Sequence, residues 1–171
     1  MARLPLNKRT LLLALALGAS SALCQAADLV REDRYADITV GNSVATINQI
    51  GNENRTAVDQ GGQGQRLTQT QRGISNQAVL TQSGANNTVY SQQNGYANSQ
   101  QVNQSGNNNQ AGVVQNGANN TATVVQSGAY NQAFVGQNGQ GNTATVTQAG
   151  FGGQVSLTQT GTDMKATVTQ Q

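Results

Sequence analysis

Apolar and polar residues alternate along most of this chain in short runs that recur on a fixed period. Between Asn142 and Gly150 the unit reads N-x-A-x-V-x-Q-x-G, with Ala144, Val146 and Gln148 on one side of the alternation and Thr143, Thr145 and Thr147 on the other. A period of two predicts a strand with an inside and an outside. Four residues before each repeat glutamine stand Ala45, Ala78, Ala111, Ala122, Ala133, Ala144 and Ala166, with Leu67, Val89 and Val155 also apolar. Two residues before it stand Ile47, Val58, Leu80, Val102, Val113, Val124, Val135, Val146, Leu157 and Val168. One face of each predicted strand is therefore apolar and narrow, bounded by Asn at one end and Gln at the other.

The markers that bound the strands keep strict register. Glutamine recurs every eleven residues, at Gln49, Gln60, Gln71, Gln82, Gln93, Gln104, Gln115, Gln126, Gln137, Gln148, Gln159 and Gln170. Glycine follows two residues later, at Gly51, Gly62, Gly73, Gly84, Gly95, Gly106, Gly117, Gly128, Gly139, Gly150 and Gly161. Asparagine follows three residues after that, at Asn54, Asn76, Asn87, Asn98, Asn109, Asn120, Asn131 and Asn142, with Gln65, Gly153 and Met164 as exceptions. A repeat this regular predicts a solenoid, in which each unit buries its apolar row only against its neighbours.

Gly and Asn are the residue types that best tolerate positive φ, so the five residues after each Gln, which contain the Gly and end in Asn, predict a tight reversal between strands. The residue before the glycine alternates, as Ser83, Asn94, Ser105, Asn116, Ser127 and Asn138, so adjacent reversals are not equivalent. Two half-repeats then make one rung of 22 residues. The expected fold is all-β: a solenoid of six rungs, two strands per rung, with twelve strands running from 44–49 through 165–170. Residue i should lie over residue i+22 in parallel, in-register sheets of the cross-β kind, about 4.8 Å apart.

Charge now changes the picture. No charged residue occurs between Gly73 and Thr162, whereas Glu53, Arg55, Asp59, Arg66 and Arg72 fall in the first rungs and Asp163 and Lys165 in the last. Identical charges stacked about 4.8 Å apart repel by about 1 kcal/mol even in water. Their absence from the middle leaves nothing to oppose stacking, and buried Gln and Asn can hydrogen-bond to their own counterparts one rung away. Both terminal rungs are expected to expose unpaired backbone that recruits further chains.

The amino terminus is different. Lys8 and Arg9 precede an apolar run from Leu11 to Leu17, and small residues follow to Ala26 and Ala27. That pattern predicts a secretory signal peptide over residues 1–26, cleaved after Ala26. Its apolar run is far shorter than the ~20 residues a membrane-spanning helix needs. Residues 27–42 form a segment before the repeats, which occupy 43–171. From Asp28 onward six basic residues meet seven acidic ones, a net charge of −1, so the basic character of the whole sequence resides in the leader and nucleic acid is not an expected partner.

The run Gln115, Gly117, Asn120, Ala122, Val124, Gln126 resembles the repeat of the curlin family, and Ser43, six before Gln49, resembles the serine that opens that family's unit. The resemblance covers 43–171. It implies a subunit of curli, the functional-amyloid surface fibres (a pilus or fimbrium in the broad sense) that serve cell adhesion and biofilm matrix, secreted through a dedicated outer-membrane channel with accessory factors. Partners would be further copies of the chain and the other curlin subunit. The near-identity of the half-repeats and the ending Ala166, Val168, Gln170 resemble the minor, nucleating subunit, with the major fibre subunit as the alternative. By the same resemblance, 27–42 is a segment read by the secretion apparatus.

Other function classes find less support. The segment after the leader has no His or Cys, and every acidic residue but Asp163 lies at or before Asp59, so no acid and base pair, catalytic site or cofactor site is expected. Calcium-binding solenoids need aspartates within the repeats, and the uncharged stretch has none, so no metal is expected. An ice-binding or other monomeric solenoid is the sharper rival, because Thr145 and Thr147 would stack under Thr167 and Thr169. The same face, however, continues into Val125, Gln101 and Asn103.

Overall fold

A computed structural model describes residues 21–27, 34–40 and 42–171; residues 1–20 of the expected leader lie outside them. Every element among the described residues is a strand. Two short strands, β1 (Ser21–Ala27) and β2 (Arg34–Val40), precede the repeat strands β3 (Ser43–Asn52), β4 (Arg55–Gln63), β5 (Arg66–Ile74), β6 (Gln77–Ala85), β7 (Thr88–Tyr96) and β8 (Ser99–Asn107). The series continues with β9 (Gln110–Ala118), β10 (Thr121–Ala129), β11 (Gln132–Gln140), β12 (Thr143–Phe151), β13 (Gln154–Thr162) and β14 (Lys165–Gln170). Odd and even repeat strands segregate into two sheets, β3-β5-β7-β9-β11-β13 and β4-β6-β8-β10-β12-β14, so each rung contributes one strand to each sheet.

The expected register holds throughout. All repeat-strand pairings are parallel with an offset of 22, as Val124 on Val146, Gln126 on Gln148 and Gly128 on Gly150 show. The Ser and Asn before the glycines sort accordingly: Ser83 pairs with Ser105 in one sheet and Asn94 with Asn116 in the other. The core lies between the sheets as a thin apolar row in which Leu80, Val113, Val124, Val135, Ala144 and Val146 have no exposed surface. No rung could bury that row alone; each supplies the wall for the next.

The strands are longer than the alternation predicts. β4 to β13 run nine residues, through the repeat glycine and one residue beyond, and the connections shrink to two residues. The reason is stacking: the bend itself lies over an identical bend, so its backbone groups keep pairing from rung to rung. Ser75 N–H donates to Asn52 O at 2.9 Å and Arg55 N–H to Asn76 O at 2.8 Å.

Positive φ also sits one residue away from where the sequence places it. The glycines take φ between +98° and +139° as expected, but the second such residue is the one preceding the asparagine: Glu53, Ser75, Asn86, Ala97, Asn108, Asn119, Tyr130 and Asp163, with Gly64, Gly141 and Gly152 at the remaining corners. The repeat asparagine is needed for its side chain instead.

The amino-terminal edge departs from expectation as well. β2 pairs antiparallel with β3, Ile38 opposite Ala45, and β1 pairs antiparallel with β4, Cys24 opposite Val58. The first rung is therefore covered rather than open. Among the repeat strands only β13 and β14 keep an outer edge without a neighbour; at the other end β1 and β2 are the outermost strands.

Ala97 holds φ +52° without the local hydrogen bonding that makes this region easier for Asn or Asp, at a cost of about 1–2 kcal/mol. Ala97→Gly should raise the denaturant midpoint by the equivalent of about 1 kcal/mol. Urea unfolding followed by far-ultraviolet dichroism measures it, and an unchanged or lowered midpoint would contradict the strain.

Candidate assembly surface: the amide ladders and the open edge

The glutamine at the end of each apolar row points inward and is out of water, so its amide must be paired within the protein. It is paired twice. Along the axis, Gln71 Nε2 donates to Gln93 Oε1 at 2.7 Å, Gln93 to Gln115 at 3.0 Å, Gln115 to Gln137 at 2.8 Å and Gln137 to Gln159 at 2.8 Å. The other sheet repeats this from Gln60 to Gln82 at 2.8 Å through Gln148 to Gln170 at 3.0 Å. Across the core, the second N–H reaches a carbonyl of the opposite sheet, as from Gln126 to Gln110 O at 3.0 Å. From Gln60 to Gln137 each amide thus binds rung to rung and sheet to sheet.

The asparagine column works with the glycines as one device. A glycine bend leaves its carbonyl without a strand partner, and the asparagine of the rung before supplies the donor: Asn98 Nδ2 bonds Gly117 O at 2.9 Å and Asn94 O at 3.3 Å. Its Oδ1 meanwhile accepts from the Asn120 backbone N–H at 3.1 Å. Glycine is required here for contact as well as for φ. A Cβ at Gly117 would overlap the Gly139 carbonyl oxygen, and the same holds from Gly51 to Gly139, whereas Gly161 has only Met164 Sδ within reach, at 3.4 Å.

The exceptions to the asparagine pattern divide in two. Gln65 reproduces every bond, from Nε2 to Gly61 O and Gly84 O at 3.0 and 2.9 Å and from Asn87 N–H to Oε1 at 3.0 Å. Ser43 opens the same column, its Oγ accepting from Gln65 N–H at 3.1 Å. Gly153 and Met164 accept nothing onward. Their backbone N–H groups donate to the last oxygens, Asn131 Oδ1 at 2.9 Å and Asn142 Oδ1 at 3.0 Å, and the column stops. At the far edge the glutamine columns continue to the surface while the asparagine columns do not.

Four interior positions carry polar side chains that the apolar reading passed over, although each stands in a slot two or four before a column glutamine: Thr56, Gln69, Ser91 and Gln100, all buried. Thr56 Oγ1 donates to Gln71 Oε1 at 2.9 Å, and Ser91 Oγ bonds Gln100, whose Nε2 donates to Gln92 O at 2.9 Å. Gln69 has no partner for either amide atom. These intrusions, like most of the repeat-region charge, fall in the first three rungs; the last three have an unbroken apolar row.

The curlin associated repeat family model matches residues 95–128 and 117–150, two windows offset by one rung that begin and end on column glycines. These matches support the curlin family. They fall within the uncharged stretch, where the Gln, Gly and Asn columns run without exception, and the curlin repeat and the solenoid it forms are structural rather than catalytic. No curated protein matches the chain.

Aspartate at Gln126 would place a charge that has no N–H to donate in a fully buried column between Gln104 and Gln148. Gln126→Asp should slow assembly at least tenfold and Thr123→Ser hardly at all, as read by fibre growth followed with a β-sensitive dye; equal rates would contradict the ladder. Gln69→Leu removes two buried unpaired atoms and should stabilise the fold by about 1–3 kcal/mol. Urea unfolding of that variant checks this.

Proposed function

We propose that this chain is a structural subunit of extracellular curli-type fibres, secreted after removal of a signal peptide over residues 1–26 and exported by the curli secretion channel, and that it acts as the minor, nucleating subunit in fibres that serve adhesion and biofilm matrix. The observation that carries the reading is complementarity between the chain's two ends. At the open edge Gln159 has an N–H to spare beyond its 3.1 Å bond to Thr143 O. At the opposite end Gln49 Oε1 is buried without a partner. A second copy continuing the stack would bring its Gln49 over Gln159 and its Gln60 over Gln170, carrying both glutamine ladders across the junction.

The covering strands set a condition on that step. Cleavage after Ala26 would take all but one residue of β1 and free the outer edge of β4, and β2 would have to leave β3 before rung one could dock. The uncharged middle favours growth once the edges meet. The nucleator assignment is supported by the open edge itself: with Gly153 and Met164 in place of asparagine, it differs from every interior interface and suits a partner that is not identical to this chain. The ice-binding alternative has less behind it, because the threonine columns of Thr123, Thr145 and Thr167 end at Gln101 and do not span the sheet.

Two experiments test the reading. Trace amounts added to a major curlin subunit should shorten its lag before growth; an unchanged lag, with abundant fibres formed by this chain alone, would reassign it as the major subunit. Gly161→Ala should leave the folded chain within about 1–2 kcal/mol of wild type, the cost of positive φ alone. It should nevertheless block templating, because the new Cβ would occupy the space of an incoming Gly51 carbonyl. Full templating by this variant would exclude docking on the open edge in this register.

A further inference from the structure

The outer face of the sheet containing β7, β9, β11 and β13 carries a groove of about 660 Å³ that the stacking argument does not use. Gly112 and Phe134 are among the residues that line it, and Phe134 lies between Gly112 and a second glycine, Gly136. Gly112 and Gly136 have no positive φ, so the backbone does not require them; both instead leave room for Phe134. A Cβ at Gly112 would stand 3.1 Å from Phe134 Cδ2, and one at Gly136 would stand 3.3 Å from its Cε1. The ring therefore sits between the two glycines in the space their missing side chains leave, with 43 % of the residue exposed. Tyr90 belongs to the same column two rungs away, roughly 9.6 Å along the axis. It leans the same way, its hydroxyl donating to Gln92 Oε1 at 2.7 Å, and it too is exposed.

Beside these rings runs a second column, Gln110, Gln132 and Gln154, paired strand to strand and exposed. Among the described residues their side-chain amides have no partner, so donors and acceptors are presented to solvent at each rung. No charged residue lines the groove. An aromatic face next to a row of neutral amides complements one kind of ligand well: a ring with a flat C–H face and hydroxyls around its edge. The C–H face covers the aromatic ring and the hydroxyls meet the amides, with no charge to neutralise.

We propose that this groove binds a neutral polysaccharide of equatorially substituted sugar rings, with Phe134 as the stacking platform and Gln110, Gln132 and Gln154 as the polar rail. The site is complete within one folded chain, so it stands or falls separately from fibre assembly. The test is titration of the folded full-length chain, its strand content checked by far-ultraviolet dichroism, with cello-oligosaccharide by calorimetry. Saturable binding is expected. Phe134→Ala should weaken it about tenfold, equivalent to about 1.4 kcal/mol. Thr145→Ala, on the opposite sheet, should not change it. A uronic-acid oligosaccharide of equal length should bind more weakly, for want of any cation in the groove. Absence of binding, equal affinity after Phe134→Ala with strand content intact, or preference for the acidic sugar would each overturn the proposal.

Discussion

A side-chain amide removed from water has two donors and an acceptor to satisfy, and in this protein the group that satisfies them is a copy of itself one rung away. Most of the architecture follows from that requirement. The backbone ladders set the spacing along the axis, the Gln columns hold the rungs in register, and the second N–H of an amide such as Gln115, reaching to a carbonyl of the facing sheet, ties the two sheets together. A core only two small apolar residues wide per strand could not hold two sheets in register through dispersion alone. The directional bonds at its margin give the thin core its alignment, and the core in turn excludes the water that would compete for those bonds.

The corners obey the same logic in a tighter space. Each glycine must bend the chain and must also admit the carbonyl of the glycine above it, and the orphaned carbonyl is claimed by an asparagine from the neighbouring rung. Glycine and asparagine are therefore one unit split between two rungs, which accounts for their locked spacing. Substituting Gln65 for asparagine is tolerated because its longer side chain reaches the same two carbonyls. The residue just before the asparagine has only a conformational duty, and its identity drifts from Asn to Ala to Tyr.

Much of this was legible in the chain because a fixed period leaves little freedom: once Gln126 lies over Gln148, every other vertical pair is determined. The fold class, the rung length and the glutamine columns follow from counting alone. What the counting missed were matters of local geometry. Alternation locates inward residues but cannot say that a bend stacked on a bend remains paired, so the strands came out short. Knowing that Gly and Asn tolerate positive φ did not reveal that the asparagine keeps a negative φ while its predecessor turns. Gln69, Ser91 and Gln100 stood in plain view in apolar slots, yet only the arrangement of neighbours shows that Ser91 and Gln100 satisfy each other and Gln69 is left alone. The covering of rung one by antiparallel strands has no periodic signal at all.

The offset of 22 between vertical partners also governs how such a chain can change length. Inserting or deleting one complete unit anywhere between Ser43 and Gln170 leaves every column intact, so the object grows or shrinks by a layer with its chemistry preserved. Gain or loss of half a unit is a different event. It would move every downstream strand to the opposite sheet, setting the serine series of Ser83 and Ser105 against the asparagine series of Asn94 and Asn116. Tandem duplication of whole layers is thus the natural route by which a gene of this kind could lengthen, and odd half-layers are the copying errors it would be expected to shed.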